Sequence, residues 1–368
     1  MRGLEQCELL CHTRIAADAG SERHRVMTAK PRNYGIDAAR ILAIVLVVLQ
    51  HVVFQGGLDN DGGALRRLAQ RALESSSQCC VDLFGLITGY VCWRATTWNL
   101  RRFASLWLQV WMTGLLVLGG LALFGHPVAP IDWLRGCFPL CLDEYWYFTG
   151  YAVVFALMPL LNRLPHRLAI CVVIFLVVSA FTCWPGGLAL LPLEKGYSAA
   201  WLVILFLFGG ALREFASRRT IRPLRCFLFA GAMVGVMVAQ RLVLSSIPRL
   251  RALFADEWTL LPYTSPTVVL MAAALLLGLA HLEIRSELAR KAIGVLAPCA
   301  FGVYLLHVQP LFFASVWKGS LAAINELPDA LFVLAIPVVV VLVYLVCTSL
   351  ELLRRTICAF IAARVIRS

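Results

Sequence analysis

Residues 36–54 read IDAARILAIVLVVLQHVVF and decide what kind of protein this is. Only Asp37, Arg40, Gln50 and His51 interrupt the apolar side chains of this stretch. A helix rises about 1.5 Å per residue, so about 20 apolar residues cross the hydrocarbon core of a bilayer. We therefore predict that this segment is a transmembrane helix.

Nine further stretches have similar length and apolar character. They are residues 77–94, 103–124, 145–161, 168–184, 199–212, 225–244, 264–282, 292–317 and 330–353. Hydrophobic residues make up 60% of the chain and the mean hydropathy is +0.80. Because the runs lack period-two alternation, they favour helices over a membrane barrel. The predicted fold class is all-α, a polytopic membrane helix bundle with about ten transmembrane helices.

The basic residues predict the orientation of the bundle. The formal net charge is +12, but Lys and Arg lie in short clusters between the apolar runs, which indicates membrane topology rather than nucleic-acid binding. With the N-terminus inside, the inner segments carry 23 of the 33 Lys and Arg residues and the outer loops carry 8. Basic residues accumulate on the cytoplasmic side, so both termini are predicted to be cytoplasmic.

The chain divides into a tail and one domain. Residues 1–32 are polar and lack the apolar core of a signal peptide, so we expect a disordered tail. Met27 directly precedes the basic start of the first helix, and a native start codon there is a hypothesis. Residues 33–368 are predicted to form a single membrane domain.

The 13 cysteines do not have metal-ligand spacing, and we predict no metal site. Most lie in apolar runs, where a thiol behaves as a small hydrophobe. Cys137 and Cys141 fall in a predicted external loop, and their spacing is compatible with a disulfide and with two free thiols.

Arg40 and His51 are polar side chains inside the first predicted span. Eleven residues separate them, which is about 16 Å along a helix and returns them to the same face. Taken singly, Arg40 reads as an inner anchor and His51 as an interfacial histidine. Their shared face instead predicts one cavity lined at two depths, since charge inside the membrane is usually functional.

Three more polar residues lie in the outer half of their predicted spans: Asp82, Arg241 and His307. Asp82 and Arg241 lie at similar depth and could pair. The alternatives are snorkelling of Arg241 to the surface and a hydrogen-bonded core role for His307.

Four motifs carry a resemblance to the acyltransferase-3 family of integral membrane acyltransferases, over nearly all of the chain from Asn33. YGIDAAR at 34–40, leading to His51, is similar to the family's arginine, ten residues and histidine. VDLFGLITGY at 81–90 resembles the apolar segment that ends in Ser-Gly-Phe or Ser-Gly-Tyr. Thr88 stands here in place of serine, and Gly85 in place of an expected phenylalanine.

The other two motifs lie later in the chain. EYWYF at 144–148 resembles the family's Leu-Trp-Tyr-Leu stretch, and FGVYLLH at 301–307 is similar to its Gly-Ile-Tyr-Leu-x-His motif. PYTSP at 262–266 resembles the glycan O-acetyltransferase branch.

The resemblance implies a bacterial inner-membrane enzyme that transfers an acetyl group from cytoplasmic acetyl-coenzyme A. Its acceptor would be a hydroxyl of a cell-surface glycan or a lipid-linked saccharide precursor. A histidine is suited to take the hydroxyl proton, and we expect His51 to be this base. Arg40 would hold the coenzyme or stabilise oxyanion charge, with Arg101 and Arg102 as phosphate contacts.

Asp82 is expected to orient a cation or to hydrogen-bond the acceptor. The residues expected to bind the acceptor are Glu144, Trp146, Tyr147, Arg241, Tyr304 and His307. The main alternative is a transporter or flippase of a glycan-related substrate, which also uses many helices and buried charge. A sensor or scaffold without catalysis is a third possibility.

Overall fold

The structure is a computed structural model that describes residues 32–365, except 60, 166, 185–186, 191–192, 248 and 250–259. These residues contain no β-strand, and the predicted all-α class is confirmed for them. The tail predicted at residues 1–32, with Met27, lies outside the described residues apart from Arg32. The principal helices are α1 (Tyr34–Gln55), α2 (Ala64–Ser77), α3 (Cys80–Cys92), α4 (Leu100–Leu123), α5 (Pro130–Cys137), α6 (Trp146–Leu161), α7 (Arg167–Cys183), α8 (Ala199–Ser217), α9 (Pro223–Ser246), α10 (Pro266–Ala280), α11 (Glu287–Leu296), α12 (Ala300–His307) and α13 (Asp329–Val365).

Many of these helices suit a membrane. Within the described part of the chain, six are long and apolar enough to cross one: α1, α4, α8, α9, the joined α11 and α12, and α13. Three shorter apolar helices, α6, α7 and α10, accompany them. Each of the ten predicted segments overlaps a helix, while the number of crossings and the side of each terminus stay predictions.

The predicted segment 292–317 is not one continuous helix. A 3-10 turn at Ala297–Cys299 joins α11 to α12, and the helix ends at His307. Pro310 then starts a short helical turn that runs into a π-turn at Phe313–Trp317. Proline suits the first turn of a helix because that N–H has no partner there, so the chain restarts at this point.

The centre of the bundle is a close contact between α3 and α8. A methyl group added at Gly89 would lie 2.8 Å from the carbonyl carbon of Phe206, and one at Gly209 would lie 2.8 Å from the amide nitrogen of Tyr90. Small residues allow two helix backbones to approach in this way, which is common in membrane bundles. Helix α1 packs beside this pair and is buried along most of its length.

Arg241 does not pair with Asp82, and that prediction is wrong. Its guanidinium lies 2.7 Å from the carboxylate of Glu74 on the amphipathic helix α2, and both side chains are almost fully buried. Arg241 also donates to the backbone carbonyl of Arg71 at 3.4 Å. A buried charge is stable only when it is paired, so this ion pair holds α2 against α9.

Candidate active site

Two histidines from different helices meet at one end of the bundle. His51 lies near the C-terminal end of α1, and His307 is the last residue of α12. Nδ1 of His51 lies 3.1 Å from Nε2 of His307. The ring of Phe313 meets His51 edge-on, with 5.2 Å between ring centroids. We call His51 and His307 the histidine pair.

The backbone fixes which ring nitrogens of the pair carry hydrogen. Nδ1 of His307 lies 2.6 Å from the carbonyl oxygen of Val303, and a carbonyl can only accept. His307 therefore carries its hydrogen on Nδ1, and in the neutral ring Nε2 is an acceptor. Nδ1 of His51 must then donate to His307. The lone pair of His51 is therefore on Nε2, the ring nitrogen that does not contact His307.

His51 lines a cavity of about 430 Å³. This volume lies within the range of small-molecule sites, about 300 to 1,000 Å³. Nine of its 17 lining residues are aromatic. The aromatic side chains of the lining include Phe84, Trp146, Tyr147, Tyr197, Tyr263 and Tyr304. Aromatic walls with a few polar groups are typical of a site for an amphipathic ligand.

The residues between α5 and α6 supply the acidic side of the cavity. Asp143 is exposed, whereas Glu144 is only 5% exposed and accepts a hydrogen bond from Gln309 at 2.9 Å. Burial raises the pKa of the Glu144 carboxyl, while the bond from Gln309 opposes that rise. Gln309 lies two residues after His307, so one short segment positions both His307 and the partner of Glu144.

A buried hydrogen-bonded network forms another wall of the cavity. The amide of Gln50 donates to the Tyr263 hydroxyl at 2.7 Å, and the Cys80 thiol donates to Gln50 Oε1 at 2.7 Å. The hydroxyl of Tyr197 donates to that of Tyr263 at 3.2 Å. Gln50 directly precedes His51, so this network also holds the end of α1.

Several of these residues were not predicted as site residues from the sequence. Two signals were present: Gln50 is a polar residue inside an apolar run, and Tyr263 lies in the PYTSP stretch. Tyr197 and Gln309 carry no such signal, because their roles depend on contacts between segments distant in the chain.

Arg40 does not line the cavity of His51, contrary to the prediction of one cavity with two depths. Its guanidinium is bound by Asp37, which also accepts a bond from Arg32 at 2.6 Å. Arg40 and Arg102 both act electrostatically on the Cys92 thiol at the end of α3. Arg40 lies in the second turn of α1, at the opposite end of that helix from His51.

The remaining predicted residues divide between the cavity and its surroundings. Glu144, Trp146, Tyr147 and Tyr304 line the cavity. Three residues lie outside its lining: Arg241, which is bound by Glu74, His307, which contacts His51, and Asp82.

Asp82 is fully buried and accepts a hydrogen bond from the Trp201 indole at 2.9 Å. It therefore lies between α3 and α8, behind the cavity wall. Arg101 is exposed at the start of α4, and Cys137 and Cys141 are exposed free thiols at the end of α5 and in the segment after it.

A bundle of apolar helices with a half-buried histidine at an aromatic cavity defines a multi-pass membrane protein with a candidate site among its helices. A family model described as an acyltransferase domain matches residues 33–352. The chain belongs to the acyltransferase-3 family. Comparisons with curated proteins and with solved structures gave no significant match.

Proposed function

We propose that the protein is a membrane O-acyltransferase that moves an acetyl group from acetyl-coenzyme A to a hydroxyl of a cell-surface glycan or its lipid-linked precursor. The observation that carries this proposal is the histidine pair at the aromatic cavity. It leaves a basic imidazole nitrogen at a site large enough for a sugar, in a chain of the acyltransferase-3 family.

His51 acts as the general base in this proposal. Its Nε2 accepts the proton of the acceptor hydroxyl while the oxygen attacks the carbonyl carbon of the thioester. The C–S bond then breaks, and coenzyme A leaves as a thiolate that takes the proton back from His51. A sugar hydroxyl is a weak nucleophile at neutral pH, so a positioned base is what the reaction needs.

His307 orients this base instead of binding the substrate. Its Nε2 holds His51 in the tautomer with hydrogen on Nδ1, and it stabilises the imidazolium that forms during attack. A buried imidazolium without such an acceptor would be costly. The backbone carbonyl of Val303 accepts a hydrogen bond from Nδ1 of His307 and so fixes the tautomer of His307.

The donor is expected to enter from the other end of the bundle. Arg40, Arg101 and Arg102 would contact the phosphates of coenzyme A, since guanidinium groups bind phosphate through paired hydrogen bonds. This leaves Arg40 with the coenzyme rather than with oxyanion charge, because it lies outside the His51 cavity. The proposed setting is a bacterial inner membrane crossed ten times, with both termini cytoplasmic.

The test uses a deletion strain complemented with variants of the full-length protein. His51→Ala should abolish the acetyl mass on the surface polysaccharide, measured by mass spectrometry, with an unchanged protein level in the membrane. His126→Ala is the matched control, because His126 lies in the loop after α4 and outside the cavity lining. Full acetylation by the His51 variant would refute the proposed role.

A further inference from the structure

The fixed charges of the cavity are all negative. Asp143 and Glu144 are both in its lining, and none of the described residues that line it is a lysine or an arginine. The hydrogen-bond partner of Glu144 is Gln309, a neutral amide that does not compensate the carboxylate. Among the described lining residues, a ligand in this cavity therefore meets negative charge and no lysine or arginine.

Neither Arg135 nor His51 gives the cavity a fixed positive charge. Arg135 acts electrostatically on Glu144, but it lies on α5 outside the lining and so does not contact a ligand in the cavity. His51 must be neutral to accept a proton, so it offers no fixed positive charge to a waiting substrate. Its positive charge appears only during the reaction, when it pairs with the developing oxyanion.

The other walls match a sugar ring without charge. The C–H faces of a sugar pack well on aromatic rings, and Trp146, Tyr147 and Tyr304 offer such faces. The Gln50 and Tyr263 pair and the Glu144 carboxylate offer hydrogen-bonding atoms in the same lining. The cavity therefore combines apolar stacking with polar groups that suit hydroxyls.

We propose that the acceptor group that enters this cavity is a sugar ring without negative charge, either a neutral sugar or an amino sugar. Uronic acids, sialic acids and phosphorylated rings are excluded, because their anion would lose water beside Glu144 and Asp143 without gaining a cation. The phosphates of a lipid-linked precursor must stay outside the cavity. This inference rests on the proposed function.

The first experiment identifies the acetylated residue in the native polysaccharide. Polysaccharide from the deletion strain and from the complemented strain is compared by NMR and mass spectrometry. We expect the residue that loses its acetate to be a neutral or amino sugar. Loss from an acidic or phosphorylated residue overturns the inference, whereas loss from no residue overturns the proposed function itself.

The second experiment measures the discrimination directly. Full-length protein in proteoliposomes receives acetyl-coenzyme A and the methyl glycoside of the identified sugar, or the same glycoside with a sulfate ester on a hydroxyl that is not acetylated. We expect kcat/KM to be at least about tenfold lower for the sulfated acceptor, because like charges across a binding site are costly.

Variants separate charge from size in this comparison. In the double variant Asp143→Asn with Glu144→Gln, the kcat/KM values for the two acceptors should lie closer together. The sulfate is just as large in this comparison, so the change would be due to charge. Asp61→Asn is the control, since Asp61 is exposed in the loop between α1 and α2, outside the lining, and it should leave the ratio unchanged. Equal transfer to both acceptors by the unmodified protein contradicts the inference while supporting acyl transfer.

Discussion

Gly302 of α12 packs directly against the side chain of Glu351 of α13. A methyl group added at Gly302 would lie 2.5 Å from Cγ of Glu351 and closer still to its carboxylate. Glu351 is 1% exposed and cannot swing away, because Arg354 donates to both of its oxygens, at 2.7 and 2.8 Å. Gln109 of α4 donates to the same carboxylate at 3.2 Å. The helix that carries His307 is thus positioned by a contact that only glycine permits.

Gly302→Ala should therefore destabilise the protein by about 1 to 3 kcal/mol through overpacking. We expect a lower melting temperature in detergent and reduced acetyl transfer, since α12 must shift. Gly231→Ala is the matched control on α9, where an added methyl group meets no atom within 4 Å. A melting temperature for Gly302→Ala equal to that of the control would show that the Glu351 side chain can move to accommodate the added methyl group.

His307→Ala should lower kcat by about 10²- to 10⁴-fold with little change in KM, which is the usual span for a general base that loses its support. His307→Gln should keep more activity, because its amide oxygen can still accept from Nδ1 of His51. Steady-state kinetics in proteoliposomes make the measurement. A rise in KM alone would instead support the sequence-based expectation that His307 binds substrate.

Tyr263→Phe should cost about 1 to 3 kcal/mol, because the buried amide of Gln50 loses its acceptor. The disturbed end of α1 should also reduce the rate of transfer. Thermal unfolding and kinetics are measured beside Tyr34→Phe, whose ring contacts Arg32 and Arg290 in a way that phenylalanine retains. Indistinguishable behaviour of the two variants would argue against the network.

Arg241→Met should destabilise the protein by about 3 to 5 kcal/mol, since it leaves the buried Glu74 carboxylate without its guanidinium. The double variant with Glu74→Met should recover much of that loss, because both charges of the pair are then removed together. Melting temperatures of the single and double variants decide the question. A double variant as unstable as the single one would mean that the pair has another role.

Cys137 and Cys141 should react with a membrane-impermeant maleimide in intact cells, without prior reduction. They are exposed free thiols in a segment that the charge pattern places outside. Cys358, near the end of α13, should react only after the membrane is permeabilised. Labelling in the reverse pattern would invert the predicted topology, and labelling that requires a reductant would show a disulfide.

The sequence predicted the helices well, because hydrophobic length is a local property of a chain, while the role of His51 stays a prediction. It did not predict which polar residues meet. Asp82 and Arg241 have similar predicted depths, yet depth along a helix does not give the direction in which a side chain points. Trp201 and Glu74 are the partners found instead.

The site was predictable only in part for the same reason. Glu144, Trp146, Tyr147 and Tyr304 line the cavity, while their predicted role in binding the acceptor stays a prediction. Arg40 was assigned to the cavity from helix periodicity, which ignores that Asp37, one turn earlier, binds its guanidinium.

The histidine pair joins positions 256 residues apart in the chain. Helix α1 emerges from the ribosome first, yet His51 cannot contact His307 until α12 has been made and inserted. Such a non-local contact forms late in assembly. If His51 is the base as proposed, nascent or truncated chains that stop before α12 lack the residue that orients it and should not transfer an acetyl group.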